Sequence, residues 1–163
     1  MFPDDIEALA RQVIEAASAL GLMVAAAESC TGGLVSAALT SVAGSSAVVE
    51  RGFVTYSNAA KSELLGVPAD LIDRHGAVSE AVARAMAEGA VSHSLAHVSV
   101  AVTGVAGPGG GSTDKPVGLV HFAAAGPGGL IHVERRFGDI GREEVRLASL
   151  RVALDLLLDR IGA

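Results

Sequence analysis

The stretch Leu22-Met23-Val24-Ala25-Ala26-Ala27-Glu28-Ser29-Cys30-Thr31-Gly32-Gly33 decides how this chain folds. Its first half, Leu22 to Ala27, is a short apolar run after the turn signal Gly21, which predicts a buried strand. Its second half ends that strand in a polar, glycine-paired turn. Leu34, Val35, Ala38 and Leu39 then set up a helical period that closes at Gly44. Upstream, Ile6, Leu9, Ala10, Val13 and Ala17 recur at three- and four-residue steps, one face of a helix from Asp4 to Leu20. The order helix, strand, glycine turn, helix places Ser29 at the carboxyl end of a strand and near a helix amino terminus.

Further along, Val48 to Ser57 reads as a second strand, bent at Gly52, and a short helix passes through Lys61 and Leu65 to the turn Gly66-Val67-Pro68. Ser79 to Val91 reads as a helix with Ser79 as its N-cap. His97 to Val102 is the most apolar strand, and the longest loop, Thr103 to Lys115, follows it. Val117 to Ala124 and Leu130 to Phe137, separated by Gly126-Pro127-Gly128-Gly129, predict a β-hairpin. A last helix runs from Arg142 to Ile161. Alternating helices and strands with one hairpin predict an α/β fold, a three-layer α/β/α sandwich around a mixed sheet, as a single domain over residues 1–163.

Composition narrows the function classes. Half of the residues are apolar, yet there are only four Phe, one Tyr and no Trp, so the core must be built from small aliphatic side chains. The net charge of −6 argues against a nucleic-acid binder, which needs a surplus of Lys and Arg on one face. Cys30 is the only cysteine, so no internal disulfide braces the fold. The acidic, amphipathic start is unlike a signal peptide, and no apolar stretch approaches the ~20 residues that span a bilayer. A cytoplasmic protein without membrane contact is the expectation.

Three places could carry chemistry. Around Ser29, bare backbone N–H groups and a helix dipole could hold an anion or an oxyanion; a hydroxyl there also serves as a simple helix cap, and local sequence leaves both roles open. A serine nucleophile needs a base. His75, His93, His97, His121 and His132 form no recognisable catalytic or metal-binding spacing, so no metal is expected. Lys61 follows a strand end and precedes apolar residues; if desolvated it could act as the base, although a lysine on a short helix is, taken alone, usually just a solvated charge. The 32 positions between Ser29 and Lys61 mean that only the fold could join them. The loop Thr103-Gly104-Val105-Ala106-Gly107-Pro108 and the glycines after it could cradle a phosphate, but match neither a Walker A nor a Rossmann pattern. Arg142 and Arg146 could clamp an anion or simply pair with Glu143 and Glu144. Cys30 could be a thiol nucleophile or buried filler.

These residues fall into motifs. Ala27-Glu28-Ser29-Cys30-Thr31-Gly32-Gly33, Gly52-Phe53-Val54-Thr55-Tyr56-Ser57-Asn58 with Lys61, Gly76-Ala77-Val78-Ser79, and Thr103-Gly104-Val105-Ala106-Gly107-Pro108 with Lys115-Pro116-Val117-Gly118 occur here in the order of the CinA C-terminal-domain family, which the chain resembles from about Asp4 to about Arg160. Characterised members of that family are nicotinamide-nucleotide amidohydrolases, and many carry an additional N-terminal domain; this chain looks like the stand-alone form. The resemblance implies deamidation of nicotinamide mononucleotide to nicotinic acid mononucleotide and ammonia, in NAD recycling, without a cofactor. It implies Ser29 as nucleophile, Lys61 as base and Tyr56 beside them. Thr31, Gly32, Gly33, Thr103, Gly104, Ala106, Gly107, Pro108 and Arg142 would line the substrate site, and a homodimer or higher homo-oligomer is implied. One departure is visible: Gly138-Asp139-Ile140-Gly141-Arg142 stands where the family pattern has Gly-Asp-Arg, so Arg146 competes with Arg142 for the nucleotide. Two rival readings are a non-catalytic nucleotide-binding module linked to competence or DNA-damage response, and a phosphotransferase or nucleotide hydrolase using the Thr103 loop, which lacks a carboxylate pair for Mg²⁺.

Overall fold

The computed structural model describes residues 1–163. Helix α1 (Asp4–Leu20) leads into strand β1 (Val24–Glu28), α2 (Leu34–Thr40), a 3-10 turn at Ser45–Ala47 and β2 (Val49–Val54). Helices α3 (Asn58–Leu65), α4 (Ala69–His75) and α5 (Glu80–Ser92) follow. Then come β3 (Val98–Gly104), the hairpin β4 (Leu119–Gly126) and β5 (Gly129–Arg136), and α6 (Arg142–Ile161). The strands form one sheet in the order β2-β1-β3-β4-β5. β1 is parallel to both β2 and β3, while β4 is antiparallel to β3 and β5. The architecture is therefore the expected α/β fold, with an open mixed sheet between two helical layers.

Alternation along the strands gives the two faces different materials. Val24 and Ala26 of β1, Val98, Val100 and Val102 of β3, and Val120, Phe122 and Ala124 of β4 join a core of 26 buried residues with α1, α2 and α6. The intervening positions Ala25, Ala27, Ala101, Ala123 and Ala125 join a smaller core of 15 with Val82, Ala83, Met86, Ala87 and Ala90 of α5. Successive side chains point to opposite faces, so one run of apolar sequence fills a bulky core on one side and a thin alanine layer on the other. The thin layer lets α5 approach the sheet closely, and Ser99 Oγ of β3 donates to Ala87 O at 2.7 Å; α5 also packs tightly on α3, where a Cβ on Gly89 would lie 2.1 Å from Leu65 O.

Local chemistry sets the helix ends. Asp4, Asp5 and Glu7 occupy the first turn of α1, where the dipole favours negative charge, and Gly21 closes it in the left-handed region. Ser57 and Ser79 cap α3 and α5, accepting from Ala60 N at 3.0 Å and Val82 N at 3.3 Å.

Three details depart from the sequence reading. Helix α4 was not expected; only Ile72 of it is buried, so it carries no apolar period. Strand β2 ends at Val54 rather than Ser57, because the chain turns after Thr55 to reach the Ser57 cap. Gly52 is not a bend. The ladder irregularity lies opposite Val24/Ala25, and Gly52 instead makes room for α2, since a Cβ there would come 2.3 Å from Ser36 Oγ.

Candidate active site

Alternation at the end of β1 sorts two neighbouring residues onto different faces. Glu28 turns toward α2, where its fully buried carboxylate accepts from Val35 N (2.8 Å), Ser36 N (3.0 Å) and Ser36 Oγ (2.9 Å). Ser29 turns toward α3, where Lys61 Nζ lies 3.0 Å from its Oγ. The anion seat at the start of α2, which sequence offered to a ligand, is thus filled from within by Glu28.

Lys61 is only 1% exposed. Its amine also meets Thr55 O at 2.8 Å, Tyr56 O at 3.4 Å and Ser57 O at 3.5 Å. It takes part in no ion pair with a carboxylate. Burial pushes its pKa below the usual lysine value of 10.5, and the nearby Cys30 only partly opposes this. Lys61 Nζ donates to Ser29 Oγ here; loss of one proton from this amine would leave two N–H groups for the carbonyls and a lone pair for the Ser29 hydroxyl proton. Cys30 is a poorer nucleophile, because burial raises its thiol pKa to about 11.

Ser29 and Lys61 open onto a cleft of about 280 Å³, lined also by Cys30, Tyr56, Asn58, Ala77, Val78, residues 103–107, Gly109, Gly110 and Arg142. Its small volume suits part of a polar ligand, with the remainder outside. Thr103 is buried and ties the strand end to the neighbouring loop by donating to Ala77 O at 2.9 Å. Lys115 Nζ fixes the same loop through His75 O. Arg142, the first residue of α6, donates to Gly107 O at 2.7 Å and to the Tyr56 hydroxyl at 3.1 Å.

The fold thus brings Ser29, Lys61, Tyr56, Thr103, Gly104, Ala106, Gly107 and Arg142 to one cleft. The Tyr56 side chain, however, meets Arg142 rather than the Ser29–Lys61 pair. Thr31, Gly32 and Gly33 do not line the cleft: Thr31 is wholly buried, and the Gly32 N–H is taken by Ser29 O at 3.0 Å. Pro108, after a cis peptide bond, faces an adjoining hollow with Arg136 and Asp139. Arg146 turns away to Cys30 O and Thr31 O, both at 3.1 Å, so of the two arginines it is Arg142 that faces the cleft. Ala77, Val78 and Asn58 were not assigned from sequence. Ala77 and Val78 stand in the quoted Gly76-to-Ser79 motif, and Asn58 directly follows the Ser57 cap. No group of three or more His, Cys, Asp or Glu side chains is placed to hold a metal ion. No helix is long and apolar enough to cross a membrane.

A three-layer α/β/α domain with a serine at a strand end, held against a buried lysine beside a glycine loop, is the class of protein defined here. The family model described as CinA C-terminal domain matches residues 6–161, and the chain belongs to that family. The crystal structure of competence/damage inducible protein CihA from Agrobacterium tumefaciens is 56% identical with a TM-score of 0.97, covering 100% of this chain and 99% of that one. A CinA superfamily protein of Escherichia coli is 37% identical with a TM-score of 0.90, covering 97% and 92%. A CinA-like protein of Synechococcus sp. (strain RCC307) is 54% identical over 96% of this chain, which spans 38% of that relative's length.

Proposed function

We propose that this domain is an amidohydrolase that cleaves the carboxamide of nicotinamide mononucleotide with Ser29 as nucleophile and Lys61 as general base. The observation that carries this reading is the 3.0 Å contact between Ser29 Oγ and an amine that is buried without a counter-charge. Family membership supports the substrate, since the resemblance implies nicotinamide-nucleotide deamidation in cytoplasmic NAD recycling.

In the first half-reaction Lys61 Nζ takes the hydroxyl proton while Ser29 Oγ bonds to the carboxamide carbon. The carbonyl electrons move onto oxygen. The Cys30 amide donates to no acceptor within the protein, and Cys30, unlike Thr31, Gly32 and Gly33, lines the cleft, which makes its N–H the candidate donor to that oxyanion. Collapse breaks the C–N bond, and Lys61 returns its proton to the departing nitrogen as ammonia. Water then gives a proton to Lys61 and its oxygen to the acyl carbon, and Ser29 leaves with the proton, releasing nicotinic acid mononucleotide. Arg142, whose fork is steadied by Gly107 and Tyr56, holds the substrate phosphate.

Incubation with nicotinamide mononucleotide tests the reading directly. Ammonia and nicotinic acid mononucleotide should accumulate in equal amounts over many turnovers, and Ser29→Ala should stop both. Tight binding without turnover by folded protein would favour a nucleotide-sensing module, and Mg²⁺-dependent phosphate release would favour a nucleotide hydrolase.

A further inference from the structure

Arg146 lies on α6, 116 residues from Cys30 in sequence, and is half-buried with no carboxylate partner in any ion pair. Its Nε donates to Cys30 O and its Nη2 to Thr31 O, each at 3.1 Å. A Cβ added at Gly32, whose φ is +56°, would lie 3.5 Å from Nη2, so the guanidinium also packs against the turn. It does not line the cleft.

A trans peptide points its C=O and the following N–H in opposite directions, so whatever grips one carbonyl aims the next amide. Gly32 N grips Ser29 O and so sets the peptide plane that carries the Cys30 N–H; Arg146 grips Thr31 O, the carbonyl of the peptide that carries the Gly32 N–H, and Cys30 O besides. The Cys30, Thr31 and Gly33 amides have no acceptor in the protein, and of these three residues only Cys30 lines the cleft. Gly32 alone could not hold the Cys30 amide, because glycine leaves the turn free to pivot.

We propose that Arg146 is a positioning residue, an arginine clamp that fixes the peptide planes of the Ser29-to-Gly33 turn so that the Cys30 amide meets the developing oxyanion. It rests on the reading of Ser29 as the nucleophile, and adds to it what holds the turn in its productive form. Arg146 touches no substrate, so the clamp acts on the chemical step and not on binding.

The test compares Arg146→Met and Arg146→Lys with the wild type in steady-state turnover of nicotinamide mononucleotide, with melting curves and pH profiles. Met should lower kcat about 10- to 100-fold, the scale of a displacement of roughly 1 Å at a reacting centre. KM should move less than about threefold and the acid limb should stay in place, because Lys61 keeps its surroundings. Lys reaches one carbonyl and should fall between. If Met does not fold, the Lys variant decides. A folded variant with wild-type kcat, a loss carried by KM, or a failure of both variants to fold overturns the clamp while leaving the Ser29 chemistry standing. A wild type without Ser29-dependent turnover removes the underlying reading and the clamp with it.

Discussion

Glu28 and Lys61 are buried ionisable side chains on opposite faces of the same sheet edge, and they are satisfied in different ways. Glu28 receives three hydrogen bonds, two from the first turn of α2 and one from Ser36 Oγ. Lys61 meets three carbonyls and one hydroxyl, with no opposite charge near, and its pKa is lowered by burial. A buried acid saturated with donors locks the start of a helix. A buried base without a counter-ion is held close to giving up its proton, and its one non-carbonyl neighbour is the hydroxyl it could activate. The thick apolar face thus holds the scaffold and the thin alanine face holds the reactive group.

The largest separation between the two should appear in turnover. Ser29→Ala and Lys61→Met should each lower kcat by at least about 10³-fold with folding retained, measured as ammonia release and thermal melting. In the wild type, activity should fall on the acid side as Lys61 becomes protonated, with the limb below the ordinary lysine value of 10.5. An active Lys61→Met would erase the distinction.

Glu28→Gln should do the reverse, costing stability before chemistry. The amide offers N–H groups where the carboxylate accepted, leaving a buried donor unmatched for about 2 kcal/mol, or roughly 4–8 °C in Tm. Scanning calorimetry alongside the ammonia assay checks this; a variant as stable as wild type would mean that the helix start does not need the carboxylate. Gly89→Ala is subtler. Its Cβ would meet the backbone of Leu65, the last residue of α3, one turn beyond Lys61. A cost of about 1–3 kcal/mol from overpacking should be joined by a several-fold loss of kcat as Lys61 shifts from Ser29. Unchanged turnover would show that α3 gives way without moving its lysine.

Much of this was legible in the sequence because it is local. Apolar periods gave α1, α5 and α6; Ser79 marked its helix start; the apolar run ending at Glu28-Ser29 gave a strand and its reactive end. The long-range pairings were not legible from the residues alone. Ser29 meets Lys61 across 32 positions because β1 and β2 are parallel neighbours, a relation that no local spacing encodes. Arg142 and Arg146, one helical turn apart, look equivalent in sequence. They diverge because one sits at the tip of α6 beside Gly107 and the other beside the Ser29 turn. The role of Glu28 was hidden for a related reason: local sequence shows that α2 has an open amino terminus but not that the preceding strand residue fills it.

The lysine also leaves a pH signature on stability. With its folded pKa below 10.5, the unfolded chain binds more protons than the native one between the two values. Relative to Lys61→Met, the wild type should therefore gain stability as pH rises through that window, shown by paired urea titrations. The most direct measurement follows the Lys61 amine itself by NMR on lysine-labelled protein, assigned by the signal lost in Lys61→Met. The midpoint should lie below 10.5, with the resonance perturbed in Ser29→Ala. A midpoint at or above 10.5, unmoved by removal of the Ser29 hydroxyl, would mean that the amine is an ordinary ammonium and cannot draw a proton from the serine.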